Sequence, residues 1–253
     1  MFSKAIVRTP CKNFINGLTT ANLGLPDYNL ALIQHQEYIE ALRKCKLEVI
    51  VLDTDEGCPD STFVEDTALL TPHCAIITNP GASSRKGETA DIKNIVNNYY
   101  SEIAEIKEPG TLEAGDIMMV GNHYYIGLSQ RTNEAGAKQL IDILESYEMT
   151  GSVIKLEKVL HLKTGVSYLE KNNFVVAGEF ITKPEFQKYN QLKIDDDESY
   201  AANCVWVNDR VMVAKGFPES KKIIEETGYY IIEVDLSEFQ KLDGGLSCLS
   251  LRF

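Results

Sequence analysis

The sequence predicts an α/β fold: five pseudo-symmetric ββαβ units in a ring, a five-bladed propeller closed by segments from both ends of the chain. Three observations predict it. Residues 63–70, 112–120, 162–169 and 202–207 can be laid over one another, each opening a pair of short apolar strands joined by a tight turn. Their spacing of roughly forty to fifty residues marks a repeat array, and five such units can close on themselves. Charged and reactive residues also recur at one phase of the repeat, so ring symmetry would bring them to a common axis.

Each element follows from local pattern. The turns fall at 71–73, 121–122, 170–173 and 208–209, and the two-residue turns Gly121-Asn122 and Asn208-Asp209 suit hairpins. Helical periodicity follows at 88–99, 133–147 and 218–226. The unit between 162 and 194 carries a shorter helical candidate at 184–189, where Thr182 and Glu185 have capping-box spacing. A further strand closes each unit, at 103–106, 153–156, 192–194 and 230–234. The fifth unit is assembled from both ends: residues 245–251 beside 4–8, with an amphipathic helix at 28–44. No Ser/Gly/Pro-rich linker interrupts the pattern, so residues 1–253 read as a single catalytic domain.

Composition narrows the functional classes. A formal net charge of −12 argues against a nucleic-acid partner and favours a cationic or zwitterionic small molecule. The acidic run at 195–198 reads as a solvated loop. No apolar stretch reaches membrane-spanning length, and the first residues lack the charged and apolar regions of a signal peptide. Six cysteines show neither paired nor metal-type spacing, which favours reduced thiols and a cytoplasmic location. With no phosphate-binding glycine loop and no His/Cys ligand spacing, neither a cofactor nor a metal is expected.

The chemistry concentrates in three places. Asp243-Gly244-Gly245-Leu246-Ser247-Cys248 puts a thiol behind a double glycine, at the expected start of a short strand. Leu112-Glu113-Ala114-Gly115-Asp116 and Leu160-His161-Leu162-Lys163-Thr164-Gly165 supply a carboxylate and an imidazole in similar strand-start settings. Cys248, His161 and Glu113 are the parts that thiolate catalysis requires once a fold unites them. Elsewhere structural roles suffice. His35 lies in the 28–44 helix, His73 and His123 sit at hairpin turns, and Cys204 has no local base and reads as core. Asp116 is expected to hold the loop carrying Glu113.

Five ordered motifs then resemble a known family. They are Asp60-Ser61-Thr62-Phe63-Val64-Glu65-Asp66, Arg85-Lys86-Gly87-Glu88-Thr89, Glu113-Ala114-Gly115-Asp116, His161-Leu162-Lys163-Thr164-Gly165 and the Gly-Gly-Leu-Ser-Cys ending. Together they are similar to the dimethylarginine dimethylaminohydrolases of the guanidino-group-modifying superfamily, whose fold is a five-bladed α/β propeller. The resemblance implies hydrolysis of methylated arginine to citrulline through a covalent intermediate on Cys248, with His161 as acid and base and Glu113 orienting it. It implies that Asp66 grips the guanidinium within a network shared with Glu65, and that Asp60 meets polar groups of the substrate. Arg85 and Arg131 would take the α-carboxylate, Leu18 and Leu242 would give backbone contacts, and residues 16–24 would form a lid hinged at Gly17 and Gly24. The assembly expected is a homodimer. Two other readings stay open: an arginine deiminase acting on unmethylated arginine, and a non-catalytic binder of arginine derivatives.

Overall fold

The computed structural model describes every residue from 1 to 253. Five three-stranded sheets form the blades. The first contains β1 (Lys4–Arg8) and β2 (Glu48–Leu52). The second contains β3 (Ala68–Leu70), β4 (Ala75–Ile77) and β5 (Ile103–Glu105); the third β6 (Ile117–Val120), β7 (His123–Leu128) and β8 (Thr150–Lys155). The fourth contains β9 (Val166–Tyr168), β10 (Asn173–Ala177) and β11 (Asn190–Ile194); the fifth β12 (Val205–Val207), β13 (Arg210–Ala214) and β14 (Tyr230–Val234). The last strand, β15 (Leu251–Arg252), returns to pair antiparallel with Ala5 and Ile6 and completes the first blade. In every blade the middle strand pairs antiparallel with the axial strand and parallel with the outer one. Outside the first blade a turn makes the first pairing, and in all five the second needs a crossover.

Helices supply most crossovers. α1 (Tyr28–Lys44) starts at Asp27, whose side chain accepts from the Asn29 and Leu30 N–H groups. α2 (Glu88–Val96), α3 (Glu134–Glu145, capped by Asn133) and α4 (Pro218–Glu225, proline in its first turn) fall where periodicity predicts them. A short α5 (Ser237–Gln240) precedes the Cys248 segment. The fourth blade corrects the sequence reading. Residues 184–189 form no helix, only 3-10 turns at Gly178–Thr182 and Pro184–Phe186, and no capping box forms at Thr182 and Glu185. Pro184 holds Lys183 extended (φ −62°, ψ 125°), which interrupts the backbone before a helix can start.

The core is divided among the seams between blades. One cluster joins β1 and α1 to β12, β13 and α5; others join the first blade to the second, the second to the third, the third to the fourth and the fourth to the fifth. A helix fills each seam except the third-to-fourth. There aromatic rings replace it: Phe174 stacks on Tyr189 at 3.9 Å and meets Phe186 at 5.3 Å.

A second correction concerns the axial strands. The segments read as strand starts are 3-10 turns: Val64–Thr67, Ala114–Asp116, Leu162–Thr164 and Ser247–Leu249, with a longer one at Asp196–Ala202. Side chains compete here for the backbone. Thr67 Oγ1 donates to Val64 O, and Thr164 Oγ1 accepts from His161 N–H. The closing strand is accordingly confined to Leu251–Arg252 rather than spanning 245–251.

Candidate active site

Four of these turns meet at one end of the ring axis. Glu113 and His161 each stand immediately before a turn, in extended backbone. His161 Nε2 lies 2.8 Å from Glu113 Oε2, and Glu113 is fully buried. Asp66, inside the first turn, accepts from Gly115 N–H through Oδ1 at 2.9 Å. A Cβ on residue 115 would stand 2.7 Å from that oxygen and 2.9 Å from His161 Nδ1, so only glycine lets the three turns close up. Asp116 does more than hold the Glu113 loop: Oδ1 accepts from Leu162 N–H at 3.0 Å, and so it also fixes the turn that follows His161.

Cys248 sits in the last of the turns. Asn203 Oδ1 accepts from Ser247 N–H at 2.9 Å, Tyr200 donates to Gly244 O at 2.7 Å, and Gly245 N–H approaches the sulfur at 3.4 Å. The double glycine works by proximity rather than by handedness. The left-handed residue of the turn is Asp243 (φ 58°), whereas a Cβ on Gly244 or Gly245 would strike Phe63 at 2.3 Å or Asn203 at 2.6 Å.

The cleft beside Cys248 is lined by Leu18, Asp60, Asp66, Arg85, Glu113, Arg131, His161 and Leu242. Every sequence-predicted residue except Glu65 is there. Asp60 is buried and accepts from Leu18 N–H at 3.0 Å; burial raises its carboxyl despite Arg85 nearby. Arg85 is held inside the protein: Nη1 donates to Asp66 Oδ2 at 2.5 Å, Nε and Nη2 grip Glu88, and Nη2 also donates to Phe63 O at 2.8 Å. One Nη1 hydrogen is left over. Arg131 is more open, with Nη1 3.5 Å from Glu113 Oε1. Glu65 lies across the floor, where its Oε1 takes Lys163 Nζ at 2.6 Å and Arg252 Nη2 at 3.3 Å.

These charges set the protonation states. Burial alone would depress His161, but Asp66, Asp116 and Glu113 outweigh it and raise the imidazole to about 9. Burial would raise Asp66 too, yet His161 and Arg85 bring it below the usual carboxylate range. The Cys248 thiol is pushed the other way. Desolvation, then Glu65 and Asp66, lift it to about 12, against the pull of Gly245 N–H and Lys163. Asp66, Glu113 and His161 present donor atoms within 4.8 Å of one another, a spacing that could hold a cation. In this structure those donors are committed to Arg85, Gly115 and each other.

Sequence reasoning did not single out Lys163, Glu88, Asn203 or Asp243. Lys163, Glu88 and Asp243 stood inside quoted motifs, and Asn203 occupies the repeat phase of the reactive turns. What was missing was each side chain's partner, which only the closed ring defines.

Residues 26–250 match the family described as N,N dimethylarginine dimethylhydrolase, eukaryotic. Over 254 aligned residues, covering all of both chains, the protein is 56% identical to N(G),N(G)-dimethylarginine dimethylaminohydrolase of Pseudomonas aeruginosa. The chain belongs to the dimethylarginine dimethylaminohydrolase family. The kinship extends to shape. A cysteine-to-serine variant of the Pseudomonas dimethylarginine dimethylaminohydrolase complexed with citrulline superimposes with a TM-score of 0.99 at 55% identity, each chain fully covered. A dimethylarginine dimethylaminohydrolase captured as a histidine-to-glycine adduct with S-methyl-L-thiocitrulline matches equally, with a TM-score of 0.99, 55% identity and complete coverage of both chains.

Proposed function

We infer that this protein hydrolyses Nω,Nω-dimethyl-L-arginine and Nω-monomethyl-L-arginine to L-citrulline, releasing dimethylamine or methylamine. The observation that carries the reading is one cleft holding a thiol, an imidazole hydrogen-bonded to a buried glutamate, and further buried carboxylates suited to a guanidinium. Binding of the cationic substrate displaces the Cys248 S–H proton to solvent, and the thiolate attacks the guanidinium carbon, forming a C–S bond and a tetrahedral adduct. The bond to the methylated nitrogen then breaks as His161, protonated at neutral pH, gives its proton to the departing amine. An S-alkylthiouronium remains on Cys248. Neutral His161 next takes a proton from water, the water oxygen bonds to carbon, and C–S cleavage returns the thiol and citrulline.

The charge arrangement suits this order of events. A thiol near 12 is scarcely ionised until a cation arrives, and the substrate is that cation. An oxyanion hole would be misplaced for a substrate that carries positive charge, whereas Asp66 and Glu113 complement its N–H donors. Glu65 acts at one remove, through Lys163. Arg131 and the remaining Arg85 donor would take the α-carboxylate, with Asp60, Leu18 and Leu242 around the polar end. All of this belongs to one catalytic domain, residues 1–253. Six free cysteines fit a reducing, cytoplasmic setting, and no helix is long and apolar enough to cross a membrane. The assembly we propose is a homodimer, for which Leu30, Ile33 and Val51 offer exposed apolar side chains on α1 and β2. The test is to incubate purified protein with asymmetric dimethylarginine, monomethylarginine, arginine and agmatine separately, quantifying citrulline or carbamoylputrescine and the released amine. Arginine as the best substrate would replace this reading with a deiminase.

A further inference from the structure

Of the buried carboxylates around Arg85, Asp60 and Asp66 line the cleft and Glu88 does not. Glu88 opens α2, is only 4% exposed, and stands three residues beyond Arg85. Burial lifts its carboxyl to about 7, although Arg85 pulls it down. A carboxylate kept inside at that cost, away from any ligand in the cleft, acts through the group it holds.

Its hold on Arg85 is directional. Glu88 Oε2 accepts from Nη2 at 2.7 Å and from Nε at 3.1 Å, so the carboxylate caps the Nε–Nη2 edge of the guanidinium. Phe63 O accepts from Nη2 at 2.8 Å, which uses the other hydrogen of that group. That leaves Nη1, the end beside Asp66, with one hydrogen on Asp66 Oδ2 and one uncommitted. A guanidinium without its cap would be free to turn, and the uncommitted hydrogen would lose its fixed direction.

We propose that Glu88 is a positioning residue that sets substrate selectivity. By capping the Nε–Nη2 edge it aims the spare Nη1 donor of Arg85 at the substrate α-carboxylate, and so favours methylated amino acids over methylated amines that lack this group. The proposal rests on the α-carboxylate reading of Arg85 given above and adds what aims that donor.

The test compares Nω-monomethyl-L-arginine with Nω-methylagmatine, which is identical at the guanidino end and lacks the carboxylate. Glu88→Gln keeps the side-chain length and one oxygen acceptor but removes the charge and the second oxygen. KM for monomethylarginine should rise on the order of tenfold with kcat within about twofold, whereas kcat/KM for methylagmatine should stay within about twofold. Turnover of methylagmatine also certifies that the variant is folded. In an Arg85→Ala background the same substitution should have no further effect on monomethylarginine, because Glu88 then has no donor to aim. Equal losses on both substrates would assign Glu88 to the scaffold and overturn the proposal. So would unaltered kinetics on both, or an undiminished effect in the Arg85→Ala background. Should the wild-type protein hydrolyse methylagmatine as efficiently as monomethylarginine, the α-carboxylate reading of Arg85 falls first and this proposal with it.

Discussion

On one side of the cleft the Glu113 and His161 turns are tied down by buried carboxylates, Asp66 on Gly115 N–H and Asp116 on Leu162 N–H. On the other side, residues 16–24 are mostly exposed. They are held by three attachments: Leu18 N–H on Asp60, Thr19 Oγ1 on Lys241 O, and Thr20 on Asp243. Water can substitute for hydrogen bonds at an exposed edge but not for those inside the ring, so opening is inexpensive only on the lid side. We propose that the first wall holds the reacting groups in fixed geometry and that the second, residues 16–24, opens as a lid. Gly24 (φ +82°) has the backbone freedom expected of a hinge, whereas Gly17 is retained because a Cβ there would stand 2.7 Å from Asp60 Oδ1.

The contrast can be broken most severely at the proposed nucleophile. Cys248→Ser should lower kcat on the order of 10³-fold or more, because a hydroxyl is a far weaker nucleophile than a thiolate. Intact-mass spectrometry of quenched wild-type protein should show the adduct on the Cys248 peptide; full activity in the serine variant would sink the mechanism.

Gly115→Ala tests the fixed wall without removing a functional group. A methyl pressed between Asp66 and His161 should cost on the order of 10²-fold in kcat. It should also move the alkaline limb of the rate profile. His161 is raised to about 9 by its carboxylates, so wild-type activity should fall as pH climbs through that value and the leaving amine goes unprotonated. Displacing the ring from Asp66 should bring the limb to lower pH, whereas an unchanged limb would assign Gly115 to packing alone.

Asp243→Ala probes the releasable wall. Losing the Thr20 anchor should raise KM for methylarginine by roughly fivefold, about 1 kcal/mol, with kcat little changed. A fall in kcat at constant KM would show that the lid shapes the reacting geometry itself.

The mildest effect on turnover is expected in α1, at His35. Its ring stands 6.4 Å from Phe239 of α5, its Nε2 is unpartnered, and burial lowers it to about 4. Between the unfolded value near 6.5 and the folded value, the unfolded chain binds the extra proton. Stability contributed by neutral His35 is complete above 6.5 and is lost as pH falls through that window, by on the order of 1–3 kcal/mol. Urea unfolding at pH 7 and pH 5 should show the loss, and His35→Leu should remove its share of the slope. An unaltered slope in that variant would reject the assignment.

Periodicity and turn chemistry were legible where a single chemical cause dominates. Gly121-Asn122 and Asn208-Asp209 act locally and apolar periodicity marks a helix face by itself, so β6–β7, β12–β13, α1 and α3 could be read from short segments. The crossover and seam of the fourth blade were illegible for the opposite reason. Phe174, Phe180, Phe186 and Tyr189 look like ordinary apolar positions until the neighbouring blade shows the seam they fill. Within the site, residue types and chain order were sufficient for Cys248, His161 and Glu113. Arg85 needed its partners. A guanidinium that reads as a free fork in sequence is, in the folded chain, mostly occupied by Asp66, Glu88 and a backbone carbonyl.

The first blade bonds the two ends of the polypeptide to each other: the N–H groups of Ser3 and Lys4 both reach Phe253 O, at 2.7 and 2.8 Å. Five separate seams, with no central core, give the ring no privileged point of closure. A peptide joining residues 1 and 253 would be short, and new ends could be opened elsewhere, for example at exposed Gln187 and Lys188, where no helix would be cut. A circularly permuted gene of that kind would place Cys248 mid-chain, still on the turn that Asn203 and Tyr200 hold. The order in which this polypeptide is written is then a convention that the architecture does not require.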